Sequence, residues 1–154
     1  VIDRLAREGN AGAVAFPRGQ REGHDFSFSG LKTAVRNHVA LFTSRNSGLD
    51  PRLNVRDVAA SFQAAVVDIL VEKTMQAARE TGVRSVVVAG GVAANSSLRE
   101  RMQEAAEQCG IGLYLPGMEL CIDNAAMIAL AGYLHFLRGE RSGLDLNPKA
   151  SMAL

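Results

Sequence analysis

Ser85-Val86-Val87-Val88-Ala89-Gly90-Gly91-Val92-Ala93-Ala94-Asn95 is the stretch on which the reading of this chain turns. Consecutive valines stop at two glycines, and a helical pattern opens a few residues later. A buried parallel strand reads this way, as a short apolar run without polar alternation. The Gly90-Gly91 turn lets a ligand approach the backbone without meeting a Cβ. Strand, glycine turn and helix start together make a cradle for phosphate and ribose, because the first helical N–H groups have no partner within the helix. Cys121-Ile122-Asp123-Asn124-Ala125-Ala126-Met127 repeats the strand-end-to-helix layout with a carboxylate at the turn. The two turns together point to a nucleotide-handling site.

Outward from these turns the periodicity predicts an α/β domain of flanking helices around a layered sheet. An opening helix carries Ile2 and Leu5 on one face and stops near Gly9-Asn10. Ala13–Phe16 and Phe26–Phe28 read as two short strands, and Ser29-Gly30 opens a helix with Leu31, Val35, Val39 and Phe42 on one stripe. Residues 43–53 are polar, with Gly48 and Pro51, and read as an internal loop. Asn54 and Asp57 form a capping box for a helix running to Thr81, with Val58, Phe62, Ala65, Val66, Ile69 and Leu70 buried and Gly82 at its end. A strand over 84–89, a helix from Ser96 to Cys109 and a strand at Leu113–Leu115 follow. Residues 124–138 are apolar on most sides, which predicts a helix packed in the interior.

A chain of 154 residues is normally one domain, able to bury about 70% of its unfolded surface. Its 47% hydrophobic and 21% charged content is that of an ordinary globular protein. No apolar stretch is long enough to cross a bilayer as a helix. With a net charge of +1, a uniformly basic nucleic-acid surface is not expected, although a local basic face is compatible. Cys109 and Cys121 lack metal-pair spacing and suit a reducing compartment, both read as packing residues. The chain opens on Val1-Ile2-Asp3 without Met or a cap, as expected of a chain entered part-way along a helix, the second half of a longer protein.

The chemistry-bearing residues are few. Asp123 reads as the N-cap of the last helix or, at a strand-to-helix crevice, as a ligand for a cation. Asn95 reads as a cap or as a ligand group whose amide both donates and accepts; a rival capping box at Ser97-Leu98-Arg99-Glu100 would release it for the second role. Ser29-Gly30-Leu31-Lys32-Thr33 is not a Walker loop, since Leu31 separates Gly30 from Lys32. The glycine turn also fails the dinucleotide pattern at Ala93. His24, His38 and His135 are scattered, and no His-x-x-x-His, Cys-x-x-Cys or Gly-x-Ser-x-Gly occurs. Arg99, Glu100, Arg101 and Glu104 read as a solvated helix face.

Phe26-Ser27-Phe28-Ser29-Gly30-Leu31-Lys32-Thr33, then Val86 to Asn95 with Leu98-Arg99, then Cys121 to Ala129, resemble the C-terminal half of the TsaD-type tRNA adenosine threonylcarbamoyltransferases. That family has also been labelled glycoprotease or O-sialoglycoprotein endopeptidase; nothing in these residues supplies a peptidase constellation. The resemblance implies the two-lobed actin, sugar-kinase and heat-shock ATPase architecture, with residues 1–154 as the C-terminal lobe. It implies that Asp123 completes a metal site for iron or zinc, whose other ligands are a His-x-x-x-His pair in an N-terminal lobe. It places Asn95, Gly90 and Gly91 around the adenylate and Asp3 on the ribose; no catalytic acid or base is assigned. The implied reaction is cytoplasmic transfer of threonylcarbamoyl from threonylcarbamoyl-AMP to N6 of adenosine 37 in tRNA, alongside companion proteins of that pathway. The chain by itself is expected to be inactive and open to self-association. Two other readings stand beside it: an ATP-dependent phosphotransferase or ATPase of the same superfold, and a non-catalytic interaction module.

Overall fold

The computed structural model describes residues 1–19, 23–44, 48–49 and 53–147. Where length suggests a single domain, the chain divides into two compact units, Val1–Cys121 and Ile122–Leu154.

The first unit is organised around α3 (Val55–Thr81), which follows α1 (Ile2–Ala6) and α2 (Ser29–Ala40) in the chain. Asn54 caps α3 as its sequence predicts: Oδ1 accepts from the amides of Arg56 and Asp57, and Nδ2 donates to Asp57 Oδ2 at 2.8 Å. Asp57 then accepts from the Asn10 amide through Oδ1 at 2.8 Å. Ser61 receives the Val14 amide and donates to the Asn10 carbonyl. The segment after α1 is thus stitched onto the first turns of α3, and Leu5 and Ala6 pack on Ala59 and Ala60. This packing fixes where Asp3 stands.

The strands expected at Ala13–Phe16 and Phe26–Phe28 are irregular segments instead. Phe16 goes into a core cluster with Leu31 and Ala65. Phe28 packs against the same cluster, so for Phe16 and Phe28 side-chain packing outweighs β preference. Within the expected loop 43–53, β1 (Thr43–Ser44) pairs antiparallel with β2 (Gly48–Leu49), and residues 45–47 and 50–52 of that loop lie outside the described residues. Along α3, Ala65 and Ile69 are buried as expected, but Val58, Phe62, Val66 and Leu70 are only half-buried. Phe62, Val66 and Leu70 instead wall two apolar clefts.

After Gly82, β3 (Ser85–Val87) leads through a 3₁₀ turn (Gly91–Ala94) to α4 (Ser96–Cys109) and β4 (Gly112–Tyr114). The two strands are parallel, with Val86 opposite Leu113, and α4 is the crossover between them, as a β-α-β unit requires. Val67, Val71, Met75, Leu98, Met102 and Ala106 form the core beneath them, with Val88, Ile111 and Leu113 against it. The expectation of a strand buried on both faces is corrected: Val87 and Tyr114, on the other face, are well exposed. Among the described residues this sheet has two strands, and α3 and α4 cover the face that carries Leu113.

Cys121 is fully buried, as a small apolar residue should be, whereas Cys109 is exposed at the end of α4. The packing role expected of Cys109 is therefore not the observed one. In the second unit, α5 (Ala125–Leu137) is apolar on most sides, yet none of its residues is buried. The interior packing expected of this helix is not found within its own unit. Among the described residues of that unit α5 is the one helix, and the segment after it, to residue 147, is irregular.

Candidate nucleotide site

The start of α4 carries the site. Asn95 is its N-cap: Oδ1 accepts from the Leu98 amide at 2.9 Å. Ser97 and Glu100 therefore do not take over the cap, contrary to the expectation that they would free Asn95. The backbone leaves the 3₁₀ turn extended at Asn95, the conformation a cap needs, and its short amide reaches a free N–H group of the first turn, that of Leu98. The amide nitrogen of Asn95 donates to Gln63 Oε1 on α3 at 2.7 Å. Gln63 is a buried polar residue, 8% exposed.

Next to it, Ser96 Oγ donates to Asp3 Oδ1 at 2.8 Å, although the two residues lie 93 positions apart in sequence. Arg7 reaches the other oxygen of Asp3 at 3.1 Å, one helical turn on. Partial burial alone would raise the Asp3 carboxyl, but the Ser96 hydroxyl and the Arg7 guanidinium outweigh it and hold the group below its ordinary value. Asp3 stays ionised in neutral solution and can accept a further hydrogen bond, such as one from a sugar hydroxyl.

A cleft of about 480 Å³ opens here, lined by Arg7, Gln63, Ser96, Ser97 and Glu100 with small alanines between. A second cleft of about 280 Å³ shares Gln63 with the first and is lined by Ile2, Phe62, Val66, Val92 and Asn95 among others. Polar groups at one side and apolar walls at the other are what a nucleoside needs. The structure thus brings two of the predicted residues, Asp3 and Asn95, to one neighbourhood within the first unit.

Gly90 and Gly91 are exposed and are not among the residues lining either cleft. Gly90 sits at φ +89°, where a side chain would be strained, and a Cβ there would meet open space. The glycine answers to the backbone turn. Arg99 is not the solvated side chain expected of its helix face: it is half-buried and donates to the carbonyls of Ala93 and Pro116, both at 3.0 Å. It clamps the 3₁₀ turn to the segment after β4. Arg101, by contrast, stays exposed and pairs with Asp68 and Glu104.

Asp123 belongs to the second unit. Asn124 is the N-cap of α5, accepting from the Met127 amide at 3.0 Å, so the capping role read for Asp123 falls to its neighbour. Asp123 itself is exposed and has no hydrogen-bond or ion-pair partner among the described residues. Among those residues no three His, Cys, Asp or Glu side chains converge on a point that could hold a metal ion. The described residues do not make a metal centre on their own, though Asp123 has both oxygens free to serve as one ligand.

Sequence reasoning missed Gln63, Ser96 and Arg99. Gln63 had a legible signal: it is a polar residue set in Ala59-Ala60-Ser61-Phe62-Gln63-Ala64-Ala65, and a buried polar side chain is more informative than a buried apolar one. Ser96 had none, since its partner lies at the far end of the unit.

Comparison with known proteins bears on the family of the chain. The family model described as TsaD: tRNA N6-adenosine threonylcarbamoyltransferase matches residues 1–130. Curated proteins named tRNA N6-adenosine threonylcarbamoyltransferase include one from Moorella thermoacetica, 51% identical over 148 residues, covering 95% of this chain and 42% of the relative. One from Symbiobacterium thermophilum is 51% identical over 154 residues, covering 99% and 44%. One from Caldicellulosiruptor saccharolyticus is 47% identical over 147 residues, covering 96% and 43%. The chain thus spans less than half the length of these relatives.

Proposed function

We propose, from the premise that this chain belongs to the TsaD family of tRNA N6-adenosine threonylcarbamoyltransferases, that the protein carrying it is an acyltransferase of tRNA. In this reading it works in the cytoplasm on threonylcarbamoyl-AMP and adenosine 37 of tRNA, beside companion proteins of the same pathway. The N6 amine attacks the carbamoyl carbon; the new N–C bond forms, the bond from that carbon to the phosphate oxygen breaks, AMP leaves, and N6 gives up a proton. The observation that carries the reading is the hydrogen bond of Asp3 to Ser96, a residue that lines the half-polar cleft and follows Asn95 in the chain.

Asp3, kept ionised, accepts from a ribose hydroxyl. Asn95 presents an amide fixed at both ends. The exposed backbone at Gly90 and Gly91 leaves room for the nucleotide to approach. Holding the adenylate still in this way lowers the barrier by positioning, without need of a covalent intermediate. Asp123 gives one oxygen ligand to a divalent metal, iron or zinc, whose other ligands come from the remainder of the protein within the two-lobed actin-like architecture. Such an ion supplies Lewis-acid stabilisation of charge on the acyl and phosphate oxygens. The chain by itself, with that single ligand, holds metal weakly and transfers little or nothing.

The test is threonine incorporation into tRNA by the intact protein with Asp3→Ala, Asn95→Ala and Asp123→Ala. The first two are expected to weaken adenylate binding by about tenfold or more, the value of a good hydrogen bond lost. Asp123→Ala is expected to lower the metal content while leaving the unfolding midpoint unchanged. Wild-type turnover in all three variants sinks the reading.

A further inference from the structure

Gln63 belongs to no motif, yet the orientation of its side chain is fixed by a neighbour. The constraint is a relay. The Leu98 amide is a free helix-start donor and can meet only an acceptor, so Asn95 turns its Oδ1 to it at 2.9 Å. That leaves Asn95 Nδ2, a donor, facing Gln63, and a donor fixes the opposing atom as Oε1, at 2.7 Å. The α4 backbone thereby sets the orientation of a carboxamide on a different helix.

The other end of Gln63 follows. Nε2 carries two N–H donors and makes no hydrogen bond to a described residue. Among the described residues no buried side-chain nitrogen or oxygen is without a partner, so Nε2 is not sealed in the core. Gln63 lines both clefts at the start of α4, so a ligand in that space meets its side chain. The residue as a whole is 8% exposed, so its donors are held in place rather than waving in solvent.

We propose that Gln63 is a ligand-binding residue, donating from Nε2 to an acceptor oxygen of the nucleotide held between Asp3 and Asn95. The inference rests on the nucleotide reading of this cleft and extends it: a buried amide with only donors to offer selects an oxygen acceptor and rejects an analogue that presents a donor there. An uncomplemented buried partner is what makes such discrimination strong.

Two substitutions in the intact protein separate binding from mere support of Asn95, with AMP as the probe in a titration. Gln63→Glu keeps an oxygen for Asn95 Nδ2 but has no donor; Gln63→Met keeps the volume and offers neither. Both are expected to bind AMP about tenfold more weakly, one hydrogen bond's worth, with the thermal midpoint of Gln63→Glu near wild type. Wild-type AMP affinity in either variant, while Asn95→Ala binds weakly, overturns the role of Gln63 and leaves the cleft reading standing. Wild-type affinity in Gln63→Glu, Asn95→Ala and Asp3→Ala together removes the nucleotide from this cleft and overturns both.

Discussion

The helices α4 and α5 begin in the same way and end up in opposite situations. Each follows a turn, each is capped by an asparagine accepting from an amide three residues on, and each lies beside an aspartate of interest. At α4 the cap is tied into the tertiary structure: Asn95 reaches Gln63 on α3, and Ser96 reaches Asp3 on α1. At α5 everything is local. Asn124 Nδ2 turns back to the Ile122 carbonyl at 2.9 Å, and Asp123 stands alone. The side faces differ in the reverse sense to their composition. Polar-surfaced α4 buries Leu98, Met102 and Ala106, whereas apolar α5 buries nothing. A cap motif is thus a statement about a helix end, and only its remaining contacts turn it into part of a site.

The contrast in burial is the largest effect to test. Met102→Ala, emptying a site 2% exposed in the main core, should cost about 3 kcal/mol of unfolding free energy. Leu134→Ala on α5, 46% exposed, should cost less than about 1 kcal/mol in residues 1–154. Denaturant unfolding of the pair checks both. A Leu134→Ala penalty matching that of Met102→Ala would mean that α5 is covered and that the contrast fails.

The caps come next. Asn95→Ala removes the cap and strands the buried Oε1 of Gln63, for about 2 kcal/mol. Asn124→Ala removes only a local cap, for about 1 kcal/mol. Equal losses in thermal denaturation would show that the Gln63 bond adds nothing to the α4 start.

The smallest effect is one of pH. Because the folded-state value of Asp3 is depressed, its contribution is fully present above the unfolded-state value. It is lost as pH falls through the lower, folded-state value. The stability gap between wild type and Asp3→Asn should therefore be open at neutral pH and close in the acid range. The slope should be shallow, since solvent screens a carboxylate whose side chain is 27% exposed. A gap that widens on acidification would reverse the assignment of Ser96 and Arg7 as its stabilisers.

Much of the fold was legible because it is written in local terms. The Asn54 cap, the left-handed stops at Gly82 and Gly110, and the β-α-β order through Gly90 each depend on neighbours a few residues away. The strand expectations at Ala13–Phe16 and Phe26–Phe28 failed because Phe16 and Phe28 answer to distant packing partners that include residues of α3, not to a pleated neighbour. Periodicity likewise marked α5 as a helix but could not say what would cover it.

The sequence by itself determined the helices, the ends of α3 and α4 and the parallel strand pair, since these rest on backbone preference and short-range hydrogen bonding. The helices α1 and α2 end at Ala6 and Ala40, before the stops read near Gly9-Asn10 and after Phe42. Only the tertiary structure decided that Asp3 meets Ser96, that Asn95 keeps its cap while gripping Gln63, and that Arg99 is a clamp. The physical reason is that a donor or acceptor has no meaning until its partner is brought within about 3 Å, and those partners arrive from remote parts of the chain.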